Sequence, residues 1–125
     1  MTRDTRRLPD AELAVMQALW ACQTPAGRSD LEGVLQSTHP MAATTLLTLL
    51  SRLGDKGFVR SEKLGRSARY TPLVSQEVYL AGQSRRFLDQ LCGGSLSTFA
   101  NALCSSGLTR QELDELRDLL NGGKL

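Results

Sequence analysis

Apolar positions recur at helical spacing through the first half of the chain and set out its elements in order. From Asp10, the stretch AELAVMQALW places Leu13, Met16, Leu19 and Trp20 about one turn apart with Val15 beside them, the pattern of a helix with one buried face. Asp10 and Glu12 fall in its first turn, where the positive end of the helix dipole favours carboxylates. QTPAGR reads as a turn. A second, short helix begins between Gly27 and Ser29, with Leu31, Val34 and Leu35 inward and Ser29 and Glu32 at capping-box spacing. His39, placed before Pro40, is pushed out of helical geometry and breaks the chain there.

The third helix, roughly 41–56, carries the sharpest pattern. Leu46, Leu49, Leu50 and Leu53 fall at i, i+3, i+4 and i+7, and form one buried stripe. Thr44, Thr48, Ser51 and Asp55 lie opposite, with Thr45 and Arg52 along a flank. Gly57 stops the helix. FVRSEKLGRSARYTPLV then predicts a strand, a glycine turn over Leu64 to Ser67, and a second strand ending at Pro72.

After Ser75 the character changes. Ser75 caps a helix whose Leu80, Ser84, Phe87, Leu88 and Leu91 share a face, and Cys92-Gly93-Gly94 ends it. Ser95 starts another helix with Leu96, Phe99, Ala100, Leu103 and Cys104 aligned. Thr109 and Glu112 have capping-box spacing ahead of Leu113, Leu116, Leu119 and Leu120. Three short helices in some fifty residues have too much surface to bury so many leucines among themselves. Packing on the N-terminal part or pairing with a second copy would cover them.

The fold class expected is mainly α with a small β-hairpin: helix, helix, helix, hairpin over residues 1–74, then a helical module over 75–125. The first part suits a winged helix-turn-helix, with the hairpin as wing. A helix that buries leucines and shows hydroxyls fits a major groove, where hydroxyls reach phosphates or base edges and threonine methyls reach thymine. The candidate DNA-contacting residues are Thr44, Thr45, Thr48 and Arg52 on that helix, with Lys63, Arg66 and Arg69 on the wing. A protein-interaction module, with the winged helix as docking scaffold, is the alternative. A reader with one recognition helix gains affinity by pairing, so a homodimer is favoured. Leu88, Leu91, Leu96, Phe99, Leu103, Leu113 and Leu116 are the candidate dimerisation residues.

Charge sharpens this only locally. The net charge of the 125 residues is +2. Yet between Lys56 and Arg69 five bases (Lys56, Arg60, Lys63, Arg66 and Arg69) stand against Glu62 alone. That excess of +4 is suited to a polyanion. Trp20 reads as a core anchor. Cys92 and Cys104 read as small buried hydrophobes, with oxidation at a subunit seam as the alternative. No CxxC pair, HExxH, GxSxG or phosphate-binding glycine loop occurs, and His39 is the sole histidine. An enzyme, a metal site and a bound cofactor are therefore not expected. The polar start MTRDTRRLPD and the lack of a long apolar run predict a cytoplasmic protein without membrane insertion.

Several stretches resemble the penicillinase-repressor family: LPDAELAVMQALW, TLLTLLSRLGDKGFV, GRSARYTPLV, FLDQLCGGSLSTF and LTRQELDELRDLL, in matching order from about Leu8 to Leu120. The resemblance implies a homodimeric repressor on a dyad-symmetric double-stranded DNA operator, controlling β-lactam-resistance-type or other stress genes. It also implies induction through a membrane sensor and protease system that cleaves an Asn-Phe bond in the dimerisation region. The corresponding pair here is Asn101-Ala102, which keeps the asparagine and replaces the aromatic. Where members often carry lysine, this chain has Thr44 and Leu47, which implies a weaker electrostatic hold by the helix and a different operator. The paired C-terminal CxC motifs of the copper-responsive branch are absent.

Overall fold

Leu46, Leu49, Leu50 and Leu53 are all buried, none more than 6% exposed, and the first part of the protein is built around them. The computed structural model describes residues 7–122. Its elements are α1 (Asp10–Ala21), β1 (Ala26–Gly27), α2 (Arg28–Thr38), α3 (Ala43–Asp55), β2 (Val59–Leu64), β3 (Ser67–Pro72), α4 (Gln76–Arg86), a π-helical turn (Phe87–Leu91), α5 (Leu96–Ser105) and α6 (Arg110–Gly122). Val15, Met16 and Leu19 of α1, Leu31 and Leu35 of α2 and the α3 leucines form one core with Phe58, Val59 and Tyr70.

The stop of α3 fixes where the hairpin starts. Gly57 takes φ +81°, a conformation open to glycine. Its N–H reaches the Gly54 carbonyl at 3.1 Å, and Phe58 N–H reaches Leu53 O at 2.9 Å. This is a Schellman closure, and its hydrophobic partners Leu53 and Phe58 are both buried. The hairpin then pairs Val59 with Pro72 through Leu64 with Ser67, around a two-residue turn. β1 adds to the outer side of β3, giving an antiparallel sheet of order β1-β3-β2. That third strand lies within the segment expected to be only a turn. The start of α2 also differs from the expected Ser29–Glu32 box: Gly27 is the cap residue, and its N–H donates to the Asp30 carboxylate at 2.9 Å.

The chain divides into two compact units, Met1–Gln83 and Ser84–Leu125. The division falls nine residues beyond the change in character at Ser75, because the start of α4 is held in the first unit. Ser75 Oγ accepts from Val78 N–H at 3.1 Å, as its capping position predicts. The buried Tyr79 ring lies 5.8 Å from Trp20 and 6.0 Å from Phe58. Its hydroxyl accepts from Leu8 N–H at 2.9 Å, and Trp20 Nε1 donates to Val74 O at 3.0 Å. Trp20 is thus a core anchor. Tyr79→Phe would leave a buried amide without its acceptor, so a loss of roughly 1–3 kcal/mol is expected in urea unfolding. An unchanged midpoint would mean that water replaces the hydroxyl.

In the second unit, Ser95 Oγ caps α5 through Thr98 N–H at 3.1 Å. Thr109 and Glu112 form the full reciprocal box of α6, at 2.9 and 3.1 Å. Phe87 and Phe99 meet edge to face at 5.2 Å. Cys92 N–H bonds Phe87 O five residues back, at 3.2 Å. The wider turn rotates the positions that follow it. Leu91, expected inward, is 74% exposed and Cys92 is buried in its place. Leu80 is also exposed, as is Cys104, so the apolar roles expected of both inside one chain are not filled.

Candidate nucleic-acid interface

The α3 stripe that anchors the core leaves the rest of the helix facing outward. Thr44, Thr45, Thr48, Ser51, Arg52 and Asp55 are all exposed, so the structure brings the four predicted helix residues onto one accessible surface. Thr48 Oγ1 donates to Thr44 O at 3.0 Å. Its hydroxyl proton is engaged by the helix, leaving a methyl and oxygen lone pairs available. At the N-terminus, Ala42 offers no side-chain cap, and Leu46 N–H is the first to find a helical acceptor, Ala42 O at 3.0 Å. Among the described residues the preceding amides have no helical acceptor, and such groups suit an acceptor such as a phosphate.

The hairpin carries its charges unequally. Side chains of cross-strand partners share a face, and the register pairs Ser61 with Tyr70 and Lys63 with Ala68 on one side, Glu62 with Arg69 on the other. Lys63 therefore shares the side of Ser61 and Tyr70, which border α3. Arg66 occupies the turn, fully outside. Neither Lys63 nor Arg66, nor Arg52 on α3, has an ion-pair partner among the described residues.

The other bases of the run are engaged within the protein. Lys56 Nζ bonds Glu12 Oε1 at 2.5 Å, and that carboxylate is only 4% exposed. Arg60 lies 3.9 Å from Glu62 and Arg69 lies 3.7 Å from Asp30. Asp30 thus serves both the α2 cap and Arg69, whose guanidinium passes so close to Gly27 that a Cβ there would lie 2.8 Å from it. The local excess legible in the sequence is therefore reduced, in three dimensions, to Lys63 and Arg66. The sequence held no sign of these pairings because each partner except Glu62 is far away along the chain.

Two grooves flank α3. One, about 420 Å³, lies between α3, the start of α2 and the hairpin, and is lined by Gly27, Arg28, Leu47 and Arg66 among others. The second, about 500 Å³, separates α3 from β2. Leu47 borders both and is 41% exposed. It was not among the candidate contacts, although the family resemblance marks it as a place where lysine is often found and its position 100° from Leu46 puts it at the edge of the buried stripe. Arg28 was missed too, since only the fold carries the start of α2 to the groove. Cys22 donates from Sγ to Asp30 O at 3.8 Å. Burial first, then the Asp30 carboxylate, pushes its thiol above the ordinary value.

The dimerisation candidates are placed unevenly. Leu88 is buried, Phe99, Leu103, Leu113 and Leu116 are half-buried, and Leu91 and Leu96 are more than 70% exposed. α5 and α6 bury no residue fully. Asn101 is exposed and Ala102 half-buried, both in the middle of α5. Among the described residues there is no cluster of three metal-ligating side chains, and no helix long and apolar enough to cross a membrane.

Three helices, a two-stranded wing and an outward helix face beside it define a winged helix-turn-helix domain. The profile of the penicillinase repressor family matches residues 8–122, and the chain belongs to that family. It is 30% identical to the penicillinase repressor of Bacillus licheniformis over 119 residues, 94% of this chain and 92% of that protein. It is 28% identical to the methicillin resistance regulatory protein MecI of Staphylococcus aureus (strain N315), over 97% of this chain and 98% of that protein. A solution structure of the Bacillus licheniformis BlaI monomeric form in complex with the blaP half-operator superposes with a TM-score of 0.51 at 29% identity. It covers 62% of this chain and 94% of its own.

Proposed function

We propose that this protein is a transcriptional repressor that binds duplex DNA, with α3 in the major groove and the β2–β3 wing on the adjacent backbone. The carrying observation is the division of α3 into four buried leucines and an exposed face of hydroxyls, beside a wing whose two unengaged bases are Lys63 and Arg66. The BlaI likeness on a half-operator supports the same reading. Thr44, Thr45 and Thr48 read base edges, Arg52 binds the backbone at the far end of the helix, and Lys63 and Arg66 meet phosphates. Arg69 acts indirectly, holding Asp30 and the start of α2 against the sheet.

Two copies pair through the helices after Ser84 and hold a dyad-symmetric operator. A membrane sensor with its protease would act on Asn101–Ala102. Because that bond lies mid-helix, cleavage there needs α5 to open locally.

Arg66→Ala tests the interface. It should weaken binding to selected and random duplexes alike and flatten the salt slope by about one unit. Arg69→Ala should change the slope less, since Arg69 is already neutralised by Asp30. An Arg66 variant with the parent's slope would remove the wing from the interface. A parent that binds no duplex would instead leave the domain as a protein-docking scaffold.

A further inference from the structure

From Ala43 to Ser51 the recognition helix contains no Arg, Lys, Asn, Gln, Asp, Glu or His. The side chains that read guanine, adenine or cytosine by strong or bidentate hydrogen bonds are therefore missing from its first two and a half turns. What this stretch presents instead is methyl groups and hydroxyls: Thr44, Thr45, Thr48, Ser51 and one large apolar residue, Leu47. Single exposed leucines are common on protein surfaces. Leu47 differs in its setting. It stands on the ridge between the two grooves that flank α3, while every other leucine of the helix is at most 6% exposed.

Only one base carries an apolar group in the major groove, the C5 methyl of thymine. We infer that Leu47 is a specificity-determining residue, which selects thymine in the half-site by packing its side chain on that methyl. This rests on the repressor reading above. Thr48 supports the same chemistry, because its hydroxyl proton is turned back to Thr44 O and the exposed side chain keeps a methyl that this bond does not use. The preference then comes from removing two apolar surfaces from water together. It adds no charge, so it does not alter the salt dependence.

The test uses the full-length protein and a duplex recovered by selection from random-sequence DNA, with each thymine of a half-site replaced in turn by deoxyuridine. That change removes the methyl and keeps every hydrogen-bonding group. At one or two positions the parent should lose about fourfold in affinity, the value of burying one methyl. Leu47→Ala, at an exposed position that leaves the core intact, should bind the thymine and uracil duplexes equally. Its salt slope should match the parent's. Uracil tolerated at every position, or a loss that persists undiminished in Leu47→Ala, would overturn the inference while leaving the repressor reading in place. A parent with no affinity for any duplex would overturn both.

Discussion

Lys56→Met is expected to destabilise the first unit by roughly 2–4 kcal/mol, far beyond what removing a surface lysine costs. The reason is the partner left behind. Glu12 is buried at 3% of its surface, and Lys56 Nζ reaches it from the end of α3. Breaking a fully buried pair costs about 3–5 kcal/mol, since one charge stays desolvated and uncompensated. The loss is smaller here because about a third of the Lys56 side chain is exposed to water. Replacing both partners (Glu12→Leu with Lys56→Met) should recover most of the loss, because an apolar pair pays no desolvation penalty. A residue of about 0.3–1 kcal/mol should persist from the lost carboxylate at the α1 N-terminus. Urea midpoints of the single and double variants check this. A single variant within 0.5 kcal/mol of the parent, on the order of an ordinary surface change, would show that Glu12 finds water or another donor. DNA binding provides a second check: Lys56→Met should keep the parent's salt slope, unlike Arg66→Ala.

The contrast between these two bases shows what was legible in the sequence and what was not. Most signals confined to one element match the fold, the Ser29–Glu32 box being the exception, since Gly27 and Asp30 cap α2 instead. The α3 stripe, the Gly57 stop, the hairpin turn and the caps at Ser75, Ser95 and Thr109 depend on neighbours within a few residues, and the chain spells them out. Pairings across the fold leave no such mark. Lys56 and Arg66 look alike in sequence, yet one is tied to Glu12, 44 residues earlier, and the other, at a turn, has no ion-pair partner among the described residues. β1 escaped notice because two residues, Ala26 and Gly27, are too few to show alternation. The π turn escaped because its one extra residue leaves no compositional trace, although it decides that Cys92, not Leu91, points inward. Leu47 was marked in the sequence only as a place where members of the family often carry lysine; that it stands exposed between two grooves is set by the fold.

The largest effect on DNA binding is expected from the exposed leucines of the second unit, not from the DNA-facing residues. Leu91 and Leu96 are 74% and 72% exposed, on either side of a turn in which Gly93 and Gly94 both take positive φ. Leu119 and Leu120 of α6 are exposed as well, at 43% and 58%. Among the described residues these surfaces have no cover, and each leucine buried by a partner contributes about 1.5–3 kcal/mol. Leu91→Asp with Leu96→Asp places charges where the single chain leaves them in water, so the unit should still fold. In a pair the same charges must be desolvated twice, once per copy, and the dimer should come apart. Leu103→Asp is a poorer probe, because Leu103 is already half-buried inside its own unit. A monomer holds one half-site and loses the gain of two tethered contacts, so operator affinity should fall about a hundredfold. Binding to random DNA should fall much less, since the wing and α3 are untouched. Analytical ultracentrifugation beside operator titrations reads both quantities. A double variant that is monomeric yet binds the operator as tightly as the parent would separate pairing from recognition. A parent already monomeric at working concentration would show that these leucines are not a seam between copies.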